Sequence, residues 1–201
     1  MKVKEIEFIN NYIRELKDIL PKLPVEEIKK TADLFVEAYE NENHIFTMGN
    51  GGHSNTASHF INDLLKHILV SDEKNVVVIG DKRFKAMSLN DNVAIITAWA
   101  NDVSYDICFS EQLKNWIKKD DLVIGFSASG NSKNILEAFK VAKEYKAKSI
   151  AFLGENGGKM KALADLSIIV PSNNYLYIED MHLVISHIIT NLVRARIQKK
   201  L

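Results

Sequence analysis

Apolar positions follow one rhythm at the start of the chain and another after residue 44. Ile6, Ile9, Ile13, Leu16 and Leu20 recur at steps of three and four, which predicts an amphipathic helix over residues 3–20. Pro21 and Pro24 end it, and Pro24 suits the first turn of a second helix reaching about Asn41, with Ile28, Ala32, Phe35 and Tyr39 on one face. Beyond that, short continuous apolar runs at 44–48, 75–80, 122–127, 149–153 and 166–170 read as buried strands. Helical patterns fill 54–69, 88–99, 104–117 and 132–145, a short helix follows residue 158, and a long final helix covers 175–199. Continuous apolar strands alternating with helices predict a parallel sheet covered on both faces, a three-layer α/β fold. No repeat or linker divides the chain, so residues 1–201 are expected to form a single domain, with a helical extension over 1–41 and an α/β core over 42–201. In such sheets ligands sit beyond the carboxyl ends of the strands.

Composition narrows the chemistry. The 46% apolar and 26% charged content excludes a disordered or collagen-like chain. Lys+Arg and Asp+Glu are both 26, so the formal net charge is zero. That gives no electrostatic case for nucleic acid or a membrane surface, and neither is expected as a partner. An anionic ligand must therefore be held by local geometry. Cys108 is the single cysteine, which excludes an internal disulfide, and it reads as a small buried hydrophobe. The first twenty residues hold no continuous apolar segment, and the longest apolar runs are far shorter than a membrane span, so a cytoplasmic location is expected.

Two strand ends carry loops suited to an anion. Gly49-Asn50-Gly51-Gly52 with His53 and Ser54 follows the first strand, and Ser127-Ala128-Ser129-Gly130-Asn131-Ser132 follows the third. Each enters a helix N-terminus, where unpaired backbone N–H groups and the helix dipole favour negative charge. Glycine lets the backbone come close, and serine hydroxyls add donors. Read singly, the first loop is equally a tight turn and Ser132 equally a helix N-cap.

On these residues the sequence resembles the sugar isomerase (SIS) domain family, in its phosphoheptose isomerase branch. Gly49-Asn50-Gly51-Gly52 with His59, and the serine loop, carry the resemblance. Further matches are Ala100-Asn101-Asp102, Gly157-Gly158-Lys159, Val170-Pro171-Ser172 and the segment 178–187. The resemblance implies a five-stranded flavodoxin-like sheet preceded by two helices, and a homotetramer with active sites between subunits. It implies that Ser127, Ser129 and Ser132 hold a sugar phosphate, and that Asn50, Gly51, Gly52, Asn101 and Asp102 line the sugar site. The implied reaction converts sedoheptulose 7-phosphate into glycero-manno-heptose 7-phosphate, a precursor of surface polysaccharide heptose, through a cis-enediol.

The resemblance also bears on the titratable residues. His59 and Asp63 stand at i, i+4 and share a helix face. Glu179 and His187, at i, i+8, are about 80° apart in azimuth and ~12 Å apart along the axis, a stretched span for one shared ion. The family carries His, Glu, Gln and His at these positions, and many members bind zinc there. Here Asp63 replaces Glu and Glu179 replaces Gln. A divalent metal, zinc foremost, is thus expected at His59, Asp63, Glu179 and His187, a set of two nitrogens and two oxygens. Asp63 is the first candidate for the catalytic base and His187 for the partner acid, with Glu179 in reserve. His53 departs from the family's usual Ser and is read either as a phosphate or hydroxyl contact or as a neutral replacement. Tyr177 stands where the family often has Arg. His182 is off the face of His187 and reads as structural. The alternatives to the heptose reaction are isomerisation or epimerisation of another sugar phosphate, and a non-catalytic SIS protein that binds a partner protein or senses a sugar phosphate.

Overall fold

The structure, a computed structural model, describes residues 2–70, 76, 77, 80, 82–199 and 201. Two helices, α1 (Lys2–Ile19) and α2 (Val25–Asn41), precede the sheet. The elements that follow are β1 (His44–Gly49), α3 (Gly52–Leu65), β2 (Lys85–Ser88), α4 (Val93–Asp102), α5 (Cys108–Lys114) and β3 (Leu122–Ser127). The chain continues through α6 (Lys133–Glu144), β4 (Lys148–Leu153), α7 (Met160–Leu163), β5 (Leu166–Ile169) and α8 (Tyr175–Ile197). The five strands lie in the order β2-β1-β3-β4-β5, all parallel. This is the flavodoxin-like order, with its switch point between β1 and β3.

Successive strand residues point to opposite faces, and the two halves of the core follow from that. Ile45, Ile124, Phe126, Ile150 and Phe152 pack with Phe35 of α2, Phe60 of α3 and Ile185 of α8 on one face. Phe46, Met48, Val123, Ala151 and Leu153 pack with Phe109 of α5, Phe139 of α6 and Met160 of α7 on the other. Gly125 lets α6 lie flat on β3, since a Cβ there would come within 2.5 Å of Ile135. Cys108 is buried in the second half of the core, as expected of a small hydrophobe.

The middle of the chain departs from the sequence expectation. Of the strand expected at 75–80, residues 75, 78 and 79 lie outside the described residues. Val76 and Val77 are exposed, and Val77 makes only an isolated antiparallel bridge to Val70. The second strand of the sheet is Lys85–Ser88 instead. It is an edge strand with β1 as its one neighbour, so it needs no continuous apolar run. Accordingly the helix expected at 88–99 starts five residues later, at Val93, where the Asn92 side chain accepts from the Ile95 N–H. The helix expected at 104–117 opens as a 3-10 turn capped by Ser104 before α5 begins. No helix among the described residues is long and apolar enough to cross a membrane.

Candidate active site

The loops after β1 and β3 leave adjacent strands and enter helices on opposite faces of the sheet. α3 packs in the first half of the core and α6 in the second. A cleft opens between them, lined by Asn50, His53, Ser127, Ser129, Ser132 and Glu179, with Phe126, Ala128 and Tyr175 completing the wall. Both helix N-termini flank this cleft, the arrangement that binds phosphate.

In the serine loop, Ser127 Oγ accepts from Gly130 N–H at 3.1 Å and lies 3.0 Å from Ser132 Oγ. Ser132 occupies the N-cap position of α6, yet its side chain makes no capping hydrogen bond. Its hydroxyl turns toward Ser127 and the cleft. Gly130 holds the turn at φ 63°, and a Cβ there would strike the Gly157 carbonyl at 2.1 Å. The Gly154–Gly158 turn is thus packed hard against the serine loop, with Met160 N–H donating to the Gly130 carbonyl at 2.9 Å.

The first loop is stitched to its surroundings by amides. Gly49 N–H donates to Asn90 Oδ1 at 3.0 Å, and Asn90 Nδ2 donates back to the Gly49 carbonyl at 2.8 Å. Asn50 and Asn134 of α6 exchange hydrogen bonds at 2.9 Å, and the Tyr105 hydroxyl donates to Asn50 Oδ1 at 2.7 Å. Two loops from different strand ends are therefore held in one rigid register. Gly51 adopts φ 57° and ψ −126°, a conformation open to glycine. Gly52 gives room to Glu179, because a Cβ there would lie 2.5 Å from Glu179 Oε2.

α3 and α8 run side by side in the same direction, and histidines mark their register. His53 meets His182 (2.9 Å between Nε2 and Nδ1), His59 meets His187 (3.0 Å between the Nε2 atoms), and His67 approaches Asn191 at 3.4 Å. Asp63 Oδ2 lies 3.5 Å from His59 Nε2 and 3.6 Å from His187 Nε2. The ligand-capable atoms of His59, Asp63 and His187 all fall within 4.8 Å of one another. Nitrogen ligands on a tetrahedral zinc stand about 3.3 Å apart at ordinary Zn–N distances, so the observed triangle matches the edges of such a site. His59, Asp63 and His187 therefore fit a metal by spacing and donor type.

Glu179 is not part of that triangle. It stands at the start of α8, beside Gly52, with Oε1 4.0 Å from His53 Nδ1. The parallel α3 decides which partner each residue meets, setting His187 beside Asp63 and Glu179 beside Gly52. Asn101 and Asp102 lie exposed on the last turn of α4, bonded to each other at 2.8 Å, and are not among the described residues lining this cleft. Tyr177 is buried against Tyr12, with ring centroids 4.6 Å apart, and also stands outside it.

Sequence reasoning missed Asn90, Asn134, Tyr105 and Tyr175, which have no motif of their own. It also gave no signal for His67, which shares a depression with Asp63 and His187. The i, i+4 ladder His59–Asp63–His67 was the available clue.

Fold order, helix N-termini and switch-point cleft together define a flavodoxin-like α/β class with a cradle of the phosphate-binding type, and the comparisons give it a family. Residues 7–154 match the SIS domain family, and the chain belongs to that family. Within it the chain falls in the phosphoheptose isomerase branch. The phosphoheptose isomerase of Helicobacter pylori is 35% identical over 175 residues, covering 87% of this chain and 86% of that protein. That of Leptospira biflexa is 34% identical over 189 residues, covering 94% and 93%. A solved phosphoheptose isomerase from Francisella tularensis superposes with a TM-score of 0.84 at 28% identity, over 94% of this chain and 97% of that one.

Proposed function

We propose that the chain is a phosphoheptose isomerase that interconverts sedoheptulose 7-phosphate and glycero-manno-heptose 7-phosphate. The observation that carries this reading is a carboxylate, Glu179, set in the same cleft as the Ser127, Ser129 and Ser132 hydroxyls. The serine loop and the N-terminus of α6 hold the phosphate, and Asn50, Gly51 and Gly52 line the sugar side. Glu179 takes a proton from the hydroxyl-bearing carbon beside the carbonyl. The electron pair moves to form the C=C bond of a cis-enediol as the carbonyl oxygen gains a proton. The base exchanges its proton with water and then protonates the former carbonyl carbon, and loss of the neighbouring hydroxyl proton leaves the aldose. Among the described residues lining the cleft, Glu179 is the one carboxylate, which favours it over Asp63 as the base.

Asp63 and His187 are then ligands, with His59, of a divalent cation, zinc by donor set. Such an ion supplies a Lewis acid that polarises sugar oxygens. The triad stands ~12 Å along α8 from Glu179, counting eight residues of helical rise. The single-chain cleft, at 160 Å³, is smaller than ordinary ligand pockets of about 300–1,000 Å³. Both facts support self-association, a homotetramer by the family resemblance, in which a neighbouring copy completes each site and brings Asn101 and Asp102 or the triad to the sugar. The ten-residue α4 packs Ile96 and Trp99 against the core but fully buries none of its apolar side chains, and Val3, Ile6, Phe8, Ile9 and Ile13 of α1 are exposed. Exposed apolar side chains on helices of that kind favour interfaces. We place the enzyme in the cytoplasm and read all 201 residues as one domain. Incubating the purified protein with ketose 7-, 6- and 5-phosphates tests the reading. Aldose product from the 7-phosphate supports it, product from a shorter sugar alone reassigns the substrate, and binding without product indicates a sensor.

A further inference from the structure

A chain of hydrogen bonds beneath the cleft takes no part in the reaction as written above. His182 is fully buried, against the rings of Phe126 and Phe152. Its Nε2 lies 3.3 Å from the Leu153 carbonyl oxygen. A carbonyl only accepts, so this nitrogen carries the proton. A neutral imidazole has one donor and one acceptor, which makes His182 Nδ1 the acceptor. The 2.9 Å contact from His182 Nδ1 to His53 Nε2 then needs its proton on His53. One nitrogen of His53 remains, Nδ1, and it is a bare lone pair 4.0 Å from Glu179 Oε1 in the wall of the cleft. Burial keeps both rings neutral, pushing His53 down to about 4 and His182 down to about 3.

The opposite tautomer chain fails. An N–H at His53 Nδ1 would require His182 Nδ1 to donate, leaving two acceptors facing each other at 3.3 Å between His182 Nε2 and Leu153. A doubly protonated His53 would put a full charge on a ring only 4% exposed, which desolvation opposes. His53 Nδ1 and Glu179 are thus two neighbouring acceptors that attract donors. Phosphate oxygens are acceptors and are unfavourable there. Sugar hydroxyls are donors and fit.

We propose that the Leu153 carbonyl and His182 lock His53 in its Nε2–H tautomer, so that His53 Nδ1 and Glu179 form an acceptor pair that reads the hydroxyl groups of the bound sugar. His182 is a positioning residue, and His53 is a sugar contact rather than a phosphate contact. The substrate side of this proposal rests on the isomerase reading; the tautomer lock does not.

The test has two arms. In histidine-labelled protein, 15N NMR should show Nε2 protonated and Nδ1 bare for both His53 and His182, unchanged between about pH 5 and 8, where an ordinary histidine titrates. A proton on His53 Nδ1 overturns the proposal. In the second arm, binding of sedoheptulose 7-phosphate and of inorganic phosphate is measured by calorimetry for the parent, His53→Ala and His182→Asn. One lost neutral hydrogen bond should weaken the sugar phosphate about 3- to 10-fold in either variant, with inorganic phosphate unchanged. Equal weakening of both ligands makes His53 a phosphate contact, and no change in either removes it from the site; each result overturns the proposal. Neither arm needs turnover, so a parent that binds the sugar phosphate but does not isomerise it counts against the proposed reaction alone.

Discussion

The buried histidine pair makes stability fall steeply with acid. His53 and His182 titrate near 6.5 when exposed, and burial pushes them down to about 4 and about 3 in the folded chain. The sign follows from proton uptake. Above pH 6.5 both states are neutral at these rings, and stability is at its full value. As pH falls below 6.5 the unfolded chain takes up protons that the folded chain refuses, and stability drops until the folded rings themselves titrate. Each unit of differential titration is worth about 1.4 kcal/mol per ring. Between pH 7 and pH 5 each ring contributes a loss of roughly 2 kcal/mol, and the two together roughly 3–4 kcal/mol. Against a typical stability of about 5–15 kcal/mol this is a large share. Urea melts at about pH 7, 6 and 5 measure it, provided the slope with urea stays constant. The parent should lose roughly 3–4 kcal/mol more than His53→Ser combined with His182→Asn, and His53→Ser alone should flatten about half of that difference. Parallel pH curves for parent and double variant would refute the reasoning, because they would mean that the rings accept protons while folded.

Other changes separate the parts of the site. Ser132→Ala should weaken inorganic phosphate about tenfold or more, yet cost no more than about 1 kcal/mol of urea stability, because its hydroxyl caps nothing and bonds only Ser127. Elemental analysis of protein purified without chelators should find metal lost in His59→Ala and Asp63→Asn and retained in Glu179→Gln. Metal lost equally in Glu179→Gln would return that residue to the ligand set. Gly52→Ala should displace Glu179, whose Oε2 sits where the new methyl must go, and slow turnover by about 100-fold or more while phosphate affinity is kept. Unchanged turnover in that variant would show that Glu179 is not the base.

Some of this was legible in the sequence and some was not, for physical reasons. β1, β3 and β4 are buried on both faces, so their apolar runs are continuous and mark the strands to within a residue. β2 sits at the sheet edge with Lys85 exposed, and its pattern is indistinct. The apolar run at 75–80 drew the expectation to the wrong place, because periodicity cannot tell a buried run from one that is solvent-facing, as Val76 and Val77 are. The two loops were legible because glycine and serine chemistry at a strand end is local. The partner of Glu179 was not. Spacing along α8 gives azimuth and rise, but only the parallel packing of α3 sends Glu179 to Gly52 and His187 to Asp63. His182 read as structural for the same reason; its link to His53 spans 129 residues and leaves no trace in local pattern.

The proposed reaction moves a proton between adjacent carbons of a phosphorylated ketose. It is tested most directly by NMR of sedoheptulose 7-phosphate incubated with the protein in deuterated water. Heptose 7-phosphate should form carrying deuterium at the former carbonyl carbon, with both product and label lost in Glu179→Gln. Sedoheptulose 7-phosphate that binds but emerges unconverted and unlabelled would contradict the proposed reaction.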